Sequence, residues 1–596
     1  MSEPGRPEAA APGCRRARAA NSLPGKVVAL RRVALAVAFL AFALLFLIVN
    51  RGAYQGYFHG DELDNIHWTR YLAPRDWVYG FLSPKYYPQN FRPAGHFYFK
   101  LMGERAELDF RPYVLSIHFL HLANVALLWL LLRRRFRLVV WSAAAGALFF
   151  AFHMAVFDAL WKPMYVFDLL ACTFSLLCLL TYSSEASGAR AAAFVFFWLA
   201  LKSKEMTVML PAALAAWEYW FGRKRWLRLL PFLAVSLGFG IQALLVNVTR
   251  QSEYTMHFSP AEIWKSIAYY SSKIFLLPYA GLGLIVLPFV ARRREVWFGL
   301  GFFALLLAPM LLLSGRLFGA YLYLPLAGLA MAAGAVAART HPAAVAAFFL
   351  LWLPYNHASL RAQRREALSL ADENRRYVTR LREIAPANPG ARTWIYDGVP
   401  AALHVWGIEA AVKLFAGRSD LQFYPAEGVN LEKVLGEGSG VVLLSWDPVF
   451  RELSAFSRAP GEPDASYITV SRRAPVWQFG EGWYSLTGHF RWCRPYATAR
   501  MRRPPGAKVF ELVVNMGPPP LREPVRATVT LNGRVVGWGE LRRGSGWHTL
   551  RWPLPEDRPG PARVEIRVEP PYVDDPAQPL GLAVGAFGFL PREQPR

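Results

Sequence analysis

The sequence predicts a polytopic α-helical membrane domain of about 11 transmembrane helices, followed by an exported α/β module and a β-sandwich. Three observations support this fold class. Of the 596 residues, 54% are apolar, and several uninterrupted apolar runs approach the roughly 20 residues that span hydrocarbon. Arginine clusters recur in short loops between these runs. The composition then changes abruptly after residue 357.

Residues 1–32 form a basic tail, which the positive-inside rule places in the cytoplasm. Further clusters at Arg133–Arg137, Arg223–Arg228 and Arg292–Arg294 lie two or more spans apart. Because the net charge of +25 is concentrated in such segments, it indicates topology and contact with membrane lipids rather than nucleic-acid binding. We expect a multi-pass protein of a bacterial-type inner (plasma) membrane, with its C-terminal domain periplasmic or extracellular.

The predicted membrane domain covers residues 33–357. It opens with a span over 33–50 and a polar outer loop over 51–112. The further predicted spans are 113–132, 138–153, 164–182, 191–201, 206–221, 229–248, 266–290, 296–313, 319–338 and 343–357. The arm 191–201 rises only about 16 Å if it is helical. We therefore expect the tip at 202–205 to lie below the outer interface and line a wet cavity; an ordinary exposed loop is the alternative.

The exported part divides into two predicted segments. Residues 358–460 read as a charged amphipathic helix and a small α/β module, and residues 461–596 as a jelly-roll-like β-sandwich built from short strands between turn residues. The aromatic residues of this second segment form either a sugar-stacking platform or core: Trp477, Trp483, Tyr484, Trp492, Trp538, Trp547 and Trp552.

Ionisable residues of the membrane domain fall at or just inside the non-cytoplasmic face in this threading. They are Asp61, Glu62, Arg92, Asp158, Lys162, Asp168, Lys202, Lys204, Glu205 and Arg316. Because each such group costs free energy to place there, a one-sided cluster predicts a functional site.

Asp61 and Glu62 are the candidate catalytic pair. One carboxylate can take a proton from an attacking hydroxyl while the other orients that base or holds a cation; a solvated loop is the alternative. The one candidate cofactor is a divalent cation, Mg²⁺ or Mn²⁺, with Asp61 or Glu62 as its ligand. We find no His/Asp/Glu spacing typical of a dedicated metal site, no P-loop and no dinucleotide fingerprint.

The basic residues of the cluster predict a phosphate site. Arg92 offers a guanidinium fork, and Lys202, Lys204 and Arg316 offer further positive charge for a lipid phosphate or pyrophosphate. Glu205 is expected to pair with one of the two lysines if the motif is only structural. The remaining candidates support the site: Asp158 and Lys162 in a turn, Asp168 facing the bundle, and His153 as a helix-end residue bonded to backbone.

Six short motifs in order make the chain resemble the GT-C glycosyltransferases, most closely the membrane half of the transmembrane-and-TPR O-mannosyltransferase-like proteins, with protein O-mannosyltransferases more distant. The matching residues are Asp61-Glu62, Phe91-Arg92-Pro93, His121 with Asn124, His153 with Asp158 and Asp168-Leu169-Leu170, Ser203-Lys204-Glu205 with Leu210-Pro211, and Tyr321–Pro325. The chain departs from the family where Val166-Phe167 and Gly319-Ala320 replace basic motifs, with Arg316 as a substitute cation. The tail lacks TPR repeats.

The resemblance implies a polyprenyl-phosphate-linked sugar as donor and a glycan, lipid or protein as acceptor. Asp61 would then act as base in one inverting displacement, with Arg92, Lys204 and Arg316 neutralising the phosphate. Two other classes stay open. One is a non-catalytic membrane scaffold that presents a carbohydrate-binding domain, and the other is a lipid or polysaccharide transporter, which would need a continuous polar path.

Overall fold

The computed structural model describes residues 25–87, 90–248, 253–427, 429–431, 440–458, 461–516, 524–542, 546–555, 559–572 and 578–591. The chain forms two compact units, Met1–Arg51 and Gly52–Arg596. Helix α1 (Gly25–Val49) makes up the first unit, and its stretch Val33–Val49 is apolar, as predicted for the first span. Most of the predicted basic tail, residues 1–24, lies outside the described residues.

The outer loop of the second unit is largely helical. It contains a 3₁₀ turn and helices α2 (Glu62–Thr69), α3 (Pro74–Leu82) and α4 (Pro93–Arg105). Pro74 and Pro93 each occupy the first helical position, where a missing N–H costs no hydrogen bond. The loop is therefore an ordered layer that covers one end of the helical bundle rather than a solvated connection.

The helices that follow form the bundle. They are α5 (Phe110–Arg134), α6 (Val140–Ala151), α7 (Phe157–Trp161), α8 (Val166–Tyr182), α9 (Ala189–Leu201), α10 (Leu210–Trp220), α11 (Leu230–Val248), α12 (Pro260–Ile274), α13 (Leu287–Ala291), α14 (Arg294–Leu311), α15 (Tyr323–Ala337) and α16 (Pro342–Ala387). Within the described residues, seven helical segments are long and apolar enough to cross a membrane. The count of about 11 stays a prediction.

The predicted span over 266–290 is wrong as a single helix. The structure has α12, a 3₁₀ turn at Ala280–Ile285 and the short α13 in this region. Leu276 and Tyr279 adopt left-handed backbone angles, with φ of 55° and 56°, and Pro278 between them has no N–H to donate. These three residues together end the helix.

The last predicted span and the charged helix predicted after it form one helix in the structure. Helix α16 runs without a break for 46 residues, which corresponds to a rise of about 69 Å. The hydrocarbon core is only about 30 Å thick, so the C-terminal half of α16 extends far beyond it. Helix α16 thus connects the bundle to the C-terminal region as one continuous rod.

The arginine clusters that were predicted to be cytoplasmic lie at one end of the bundle. Arg135 donates to the Leu180 carbonyl near the end of α8, and Arg293 donates to the Ala335 carbonyl near the end of α15. The predicted site residues lie at the opposite ends of these helices, since Asp168 is in the first turn of α8. The two charge populations are therefore separated along the bundle axis.

The C-terminal region contains one mixed sheet and a sandwich. The first sheet has the order β2-β1-β3-β4, and helix α17 (Val405–Ala416) follows its first strand. Its strands are β1 (Thr393–Asp397), β2 (Gln422–Pro425), β3 (Val441–Asp447) and β4 (Glu452–Arg458). Strand β1 pairs in parallel with both β2 and β3, as expected of an α/β module.

The sandwich consists of two antiparallel sheets, β11-β10-β13-β8 and β12-β9-β14-β7-β6, with β5 paired to β14. The strands are β5 (Tyr467–Thr469), β6 (Trp483–Thr487), β7 (Phe490–Cys493), β8 (Tyr496–Arg503), β9 (Val509–Asn515), β10 (Val525–Leu531), β11 (Arg534–Leu541), β12 (Trp547–Pro553), β13 (Gly560–Glu569) and β14 (Ala583–Leu590). Ile395 and Leu443 of the first sheet share one buried core with Phe510 and Phe587 of the sandwich. The buried pair Arg491–Asp397 also joins them.

The aromatic residues of the sandwich divide between the two predicted roles. Trp477, Trp483, Tyr484 and Trp552 are buried, whereas Trp538 and Trp547 are exposed. Most of the predicted platform is therefore core.

Candidate functional site

The loop that carries Asp61 is fastened to the C-terminal region. Gly60, with a left-handed φ of 55°, donates its N–H to the Ala402 carbonyl at 2.9 Å, and its own carbonyl accepts from the His404 N–H at 3.1 Å. Asn374 of α16, fully buried, donates to the Phe58 carbonyl at 2.8 Å and to that of Ala402 at 3.3 Å. The position of Asp61 thus depends on residues more than 300 positions away.

Asp61 stands at the N-cap of α2 without capping it. An aspartate here ordinarily accepts a hydrogen bond from an amide of the first turn, but the Asp61 side chain makes no such bond. Its Oδ1 is buried and, within the described part of the chain, has no hydrogen-bond partner. The Asp61 carboxylate is therefore available for chemistry outside the helix.

Glu62, in contrast, is fully buried and engaged by backbone. Its Oε2 accepts from the His59 N–H at 2.8 Å, and its Oε1 accepts from the Met164 N–H at 2.7 Å. Burial, the largest influence, raises the pKa of Glu62 to about 8. Glu62 thus fastens the Asp61 loop to the turn before α8.

The described residues contain no cluster of three His, Cys, Asp or Glu side chains that would hold a metal ion. Because both Glu62 oxygens already accept backbone N–H groups, Asp61 is the better placed of the two predicted ligands. Cation binding there stays a prediction.

His59 is a site residue that the sequence analysis missed. Its Nδ1 donates to the Tyr57 carbonyl at 2.6 Å, which leaves the lone pair on Nε2, a buried atom without a hydrogen-bond partner among the described residues. Burial and the nearby Lys162 lower the pKa of His59 to about 4, so the imidazole is neutral. Lys162 itself pairs with Asp158 at 2.8 Å; the sequence analysis placed both in one turn without predicting this pair.

Arg92 connects the outer loop to the bundle. Its Nε donates to Glu205 at 2.7 Å, and its guanidinium lies 5.4 Å from the centre of the Phe167 ring. The Arg92 N–H donates to Nδ1 of His96, whose Nε2 lies 3.2 Å from Oδ1 of Asn65 on α2. Arg92 and the helix that begins after Asp61 therefore belong to one hydrogen-bonded unit.

Lys204 pairs with Asp168 at 3.0 Å, and both side chains are buried. Glu205 pairs with Arg92 rather than with a lysine, so the structure does not have the Glu205–lysine pair of the purely structural alternative. Adjacent residues on a turn point in different directions, so Lys204 and Glu205 meet different partners. Lys202 and Lys204 are 3% and 7% exposed, so the tip is not an ordinary exposed loop; its place below the outer interface beside a wet cavity stays a prediction.

Arg316 joins Lys204 through Tyr321. The Lys204 ammonium lies 4.8 Å from the centre of the Tyr321 ring, and Arg316 Nε donates to the Tyr321 hydroxyl at 3.2 Å. Arg316 also pairs with Glu253. Three of the four predicted phosphate-binding cations thus share one network of paired charges.

Lys202 is the fourth predicted phosphate ligand, and it points elsewhere. It donates to the Ser83 carbonyl and lies 5.6 Å and 5.3 Å from the ring centres of Tyr87 and Trp198. These contacts place its ammonium against the outer loop.

Tyr165 lies near both the turn that contains Asp158 and the network that contains Lys204 and Arg316. Its hydroxyl lies within electrostatic range of Asp158 and Asp168, and of Arg316. The turn around Asp158, the Lys204–Asp168 pair and Arg316 therefore line one region at the same end of the bundle as the Asp61 loop.

Other motif residues form a buried polar hub beneath this region. His121 Nδ1 lies 2.7 Å from the Tyr323 hydroxyl, and Asn124 donates to that hydroxyl and to the Leu169 carbonyl. The hub connects α5, α8 and α15 below the site. His153 accepts from the Ala155 N–H, which agrees with its predicted role as a helix-end residue.

Comparison with known proteins found similarity only among solved structures. No protein family matches the chain, and no curated protein matches it. The chain is similar to the cryo-EM structure of the arabinofuranosyltransferase AftD from Mycobacteria, with a TM-score of 0.42 and 13% identity over 92% of this chain and 58% of that one. Two structures of a mutant of that enzyme give TM-scores of 0.39 and 0.36. The chain spans about three fifths of the length of these structures.

Proposed function

We propose that this chain is an integral membrane glycosyltransferase that moves a sugar from a polyprenyl-phosphate donor to an acceptor hydroxyl on the non-cytoplasmic face. The observation that carries the proposal is Asp61 Oδ1, which has no hydrogen-bond partner among the described residues and lies at the same end of the bundle as the network of Arg92, Lys204 and Arg316. A base and positively charged groups that can stabilise the leaving phosphate are the two parts that transfer from a sugar phosphate requires.

In the proposed reaction, Asp61 accepts the proton of the acceptor hydroxyl as its oxygen attacks the anomeric carbon. The bond from that carbon to the phosphate oxygen breaks on the opposite face, so the configuration inverts and the polyprenyl phosphate leaves with the bonding electron pair. The mechanism uses no metal step. Glu62 acts as a positioning residue, because its carboxylate fastens the Asp61 loop to the turn before α8.

The paired cations would stabilise the departing phosphate. Arg92 donates to Glu205 through Nε, and a guanidinium carries four further N–H bonds. The carboxylate partners hold the cations in place before the donor binds, so little reorganisation is needed as charge develops on the leaving oxygen. The donor tail would lie among the apolar helices, with its phosphate at the interface.

The test is Asp61→Asn in membranes supplied with polyprenyl-phosphate sugars. Asparagine keeps the shape but cannot take the proton, so we expect transfer to fall by about 10²–10⁴-fold with little change in donor binding. Asp109→Asn is the matched control, because Asp109 lies in the same outer loop and only caps α5. Wild-type transfer by Asp61→Asn would overturn the mechanism, and inactivity of the wild type with every donor would overturn the function.

A further inference from the structure

Helices α2 and α17 lie side by side with their N-termini at the same end. A Cβ added to Gly407 would lie 3.0 Å from the Gly60 carbonyl oxygen and 3.7 Å from Cβ of Leu63, so glycine allows the close approach here. Further along both helices, His67 is within electrostatic range of Lys413. The two helices therefore run parallel, and their first turns meet at Gly60.

Each of these helices presents a polar stripe on one flank. On α2 the residues Asp61, Asp64 and His67 recur every three positions, and on α17 the residues Trp406, Glu409 and Lys413 follow at spacings of three and four. Such spacings place side chains on one helix face. Asp64 is within electrostatic range of both Glu409 and Lys413, so the two rows of side chains lie on adjoining flanks of the helix pair, and we call the surface between them the groove.

The register places Trp406 beside Asp61. Asp64 and Glu409 are within electrostatic range of each other, and one helical turn towards the N-termini leads from Asp64 to Asp61 and from Glu409 to Trp406. The backbone hydrogen bond from the His404 N–H to the Gly60 carbonyl supports the same register. His404 lies two positions before Trp406, and Gly60 lies one position before Asp61. The indole thus lies at the end of the groove where the proposed base stands.

The groove has the chemistry of a sugar site. Trp406 is 56% exposed although it is large and apolar, and its ring centre lies 4.1 Å from that of His404. The C–H faces of a sugar ring pack against the electron-rich face of an indole, while carboxylates accept hydrogen bonds from sugar hydroxyls. Asp64 and Glu409 supply such acceptors next to the indole.

We propose that the groove between α2 and α17 binds a carbohydrate acceptor, with Trp406 stacked against the sugar that presents its hydroxyl to Asp61. This inference rests on the proposed function for the role of Asp61, and it names the acceptor class as a glycan. It also assigns the exported module a direct part in the active site, since α17 supplies one wall of the groove.

The experiment compares Trp406→Ala, Trp406→Phe and the matched control Trp264→Ala in the full-length detergent-solubilised protein. Trp264, on α12, is 54% exposed. The probes are hexasaccharides of α-linked mannose, arabinofuranose and galactofuranose, with binding measured by saturation-transfer NMR. For a hexasaccharide that binds the wild type, we expect Trp406→Ala to weaken binding about tenfold, as loss of one aromatic contact predicts. Trp406→Phe should remain within about threefold, and Trp264→Ala should be unchanged.

The binding assay separates the two proposals because it needs no donor. Unaltered binding by Trp406→Ala, equal loss in Trp264→Ala, or no hexasaccharide bound by the wild type would each overturn the acceptor site. Loss of binding to anionic lipid vesicles in Trp406→Ala, with glycan binding intact, would also overturn it and show a membrane contact instead. Trp406-dependent glycan binding by a protein that transfers no sugar would contradict the proposed function alone.

Discussion

Replacing Lys204 with methionine tests whether this residue acts on the substrate or only supports the fold. Lys204 and Asp168 form a buried pair, with side chains 9% and 1% exposed. Removing one partner of such a pair leaves an uncompensated charge and typically costs about 3–5 kcal/mol. Lys204→Met alone should therefore lose both stability and transfer, so the single variant cannot separate the two roles.

The double variant Lys204→Met/Asp168→Asn separates them. It removes both charges, so no uncompensated buried charge remains to destabilise the fold. We expect the apparent Tm in detergent to return towards that of the wild type. Transfer should stay reduced by about 10²–10³-fold, the usual cost of removing one donor to a developing negative charge.

The assay is a thermal scan by intrinsic fluorescence, run beside transfer from a polyprenyl-phosphate sugar in the same preparations. Asp168→Asn alone is the control for any separate role of the carboxylate. Wild-type transfer by the stable double variant would refute the assignment of Lys204 to the phosphate. An unchanged Tm in Lys204→Met would refute the reasoning about the buried pair.

Three further predictions follow from named contacts. Glu62→Gln should cost about 1–3 kcal/mol, because the amide NH2 cannot accept a hydrogen bond where a Glu62 oxygen accepts a backbone N–H. The pKa of Glu62 is raised to about 8. The contribution of Glu62 to the free energy of unfolding is therefore full below about pH 4.5 and is lost as the pH rises to about 8. The difference in Tm between Glu62→Gln and the wild type should therefore narrow between about pH 4.5 and pH 8. A difference that widens over this range would contradict the raised pKa. Arg491→Met should cost about 3–5 kcal/mol, because it leaves Asp397 unpaired and buried. The control Arg563→Met, in a partly exposed pair, should cost under about 1 kcal/mol. Equal shifts in Tm for the two variants would contradict the argument from burial of the Arg491–Asp397 pair. Asn374→Ala should lower kcat at least about tenfold without changing the KM for the donor, because it removes the hydrogen bonds to the Phe58 and Ala402 carbonyls. The control is Asn388→Ala, since the Asn388 side chain donates to the Ile384 carbonyl of the helix that it follows. An equal loss of kcat in the control would argue that Asn374 does not position the Asp61 loop.

Much of the fold could be predicted because it is local. The apolar run 113–132 lies within α5 and most of the run 164–182 within α8, and the short run 509–515, rich in β-branched and apolar residues, is strand β9. In each case periodicity and composition within one segment decide the structure. The arginine clusters likewise predicted which helix ends lie together.

The errors and omissions arise where distant residues decide the structure. Pairing of Glu205 with Arg92 joins positions 113 apart, and no pattern near Glu205 favours Arg92 over the adjacent Lys204. His59 carried no signal at all, because an isolated histidine in a loop becomes notable only when burial leaves its Nε2 unpartnered. The continuity of α16 was missed because the sequence suggested two functional segments where the backbone forms one helix.

The contact between Gly60 and residues 402–404 changes how a deletion of the C-terminal region should be interpreted. Deleting residues 390–596 would remove any acceptor site there, but it would also remove the backbone bonds that hold Gly60, one residue before Asp61. Loss of transfer in such a deletion therefore does not distinguish acceptor recruitment from positioning of the base. Point substitutions do, because Asn374→Ala alters the position of the loop while Trp406→Ala leaves those bonds in place. If both residues have the roles assigned to them, the first variant lowers kcat for every acceptor, and the second raises KM for glycan acceptors alone.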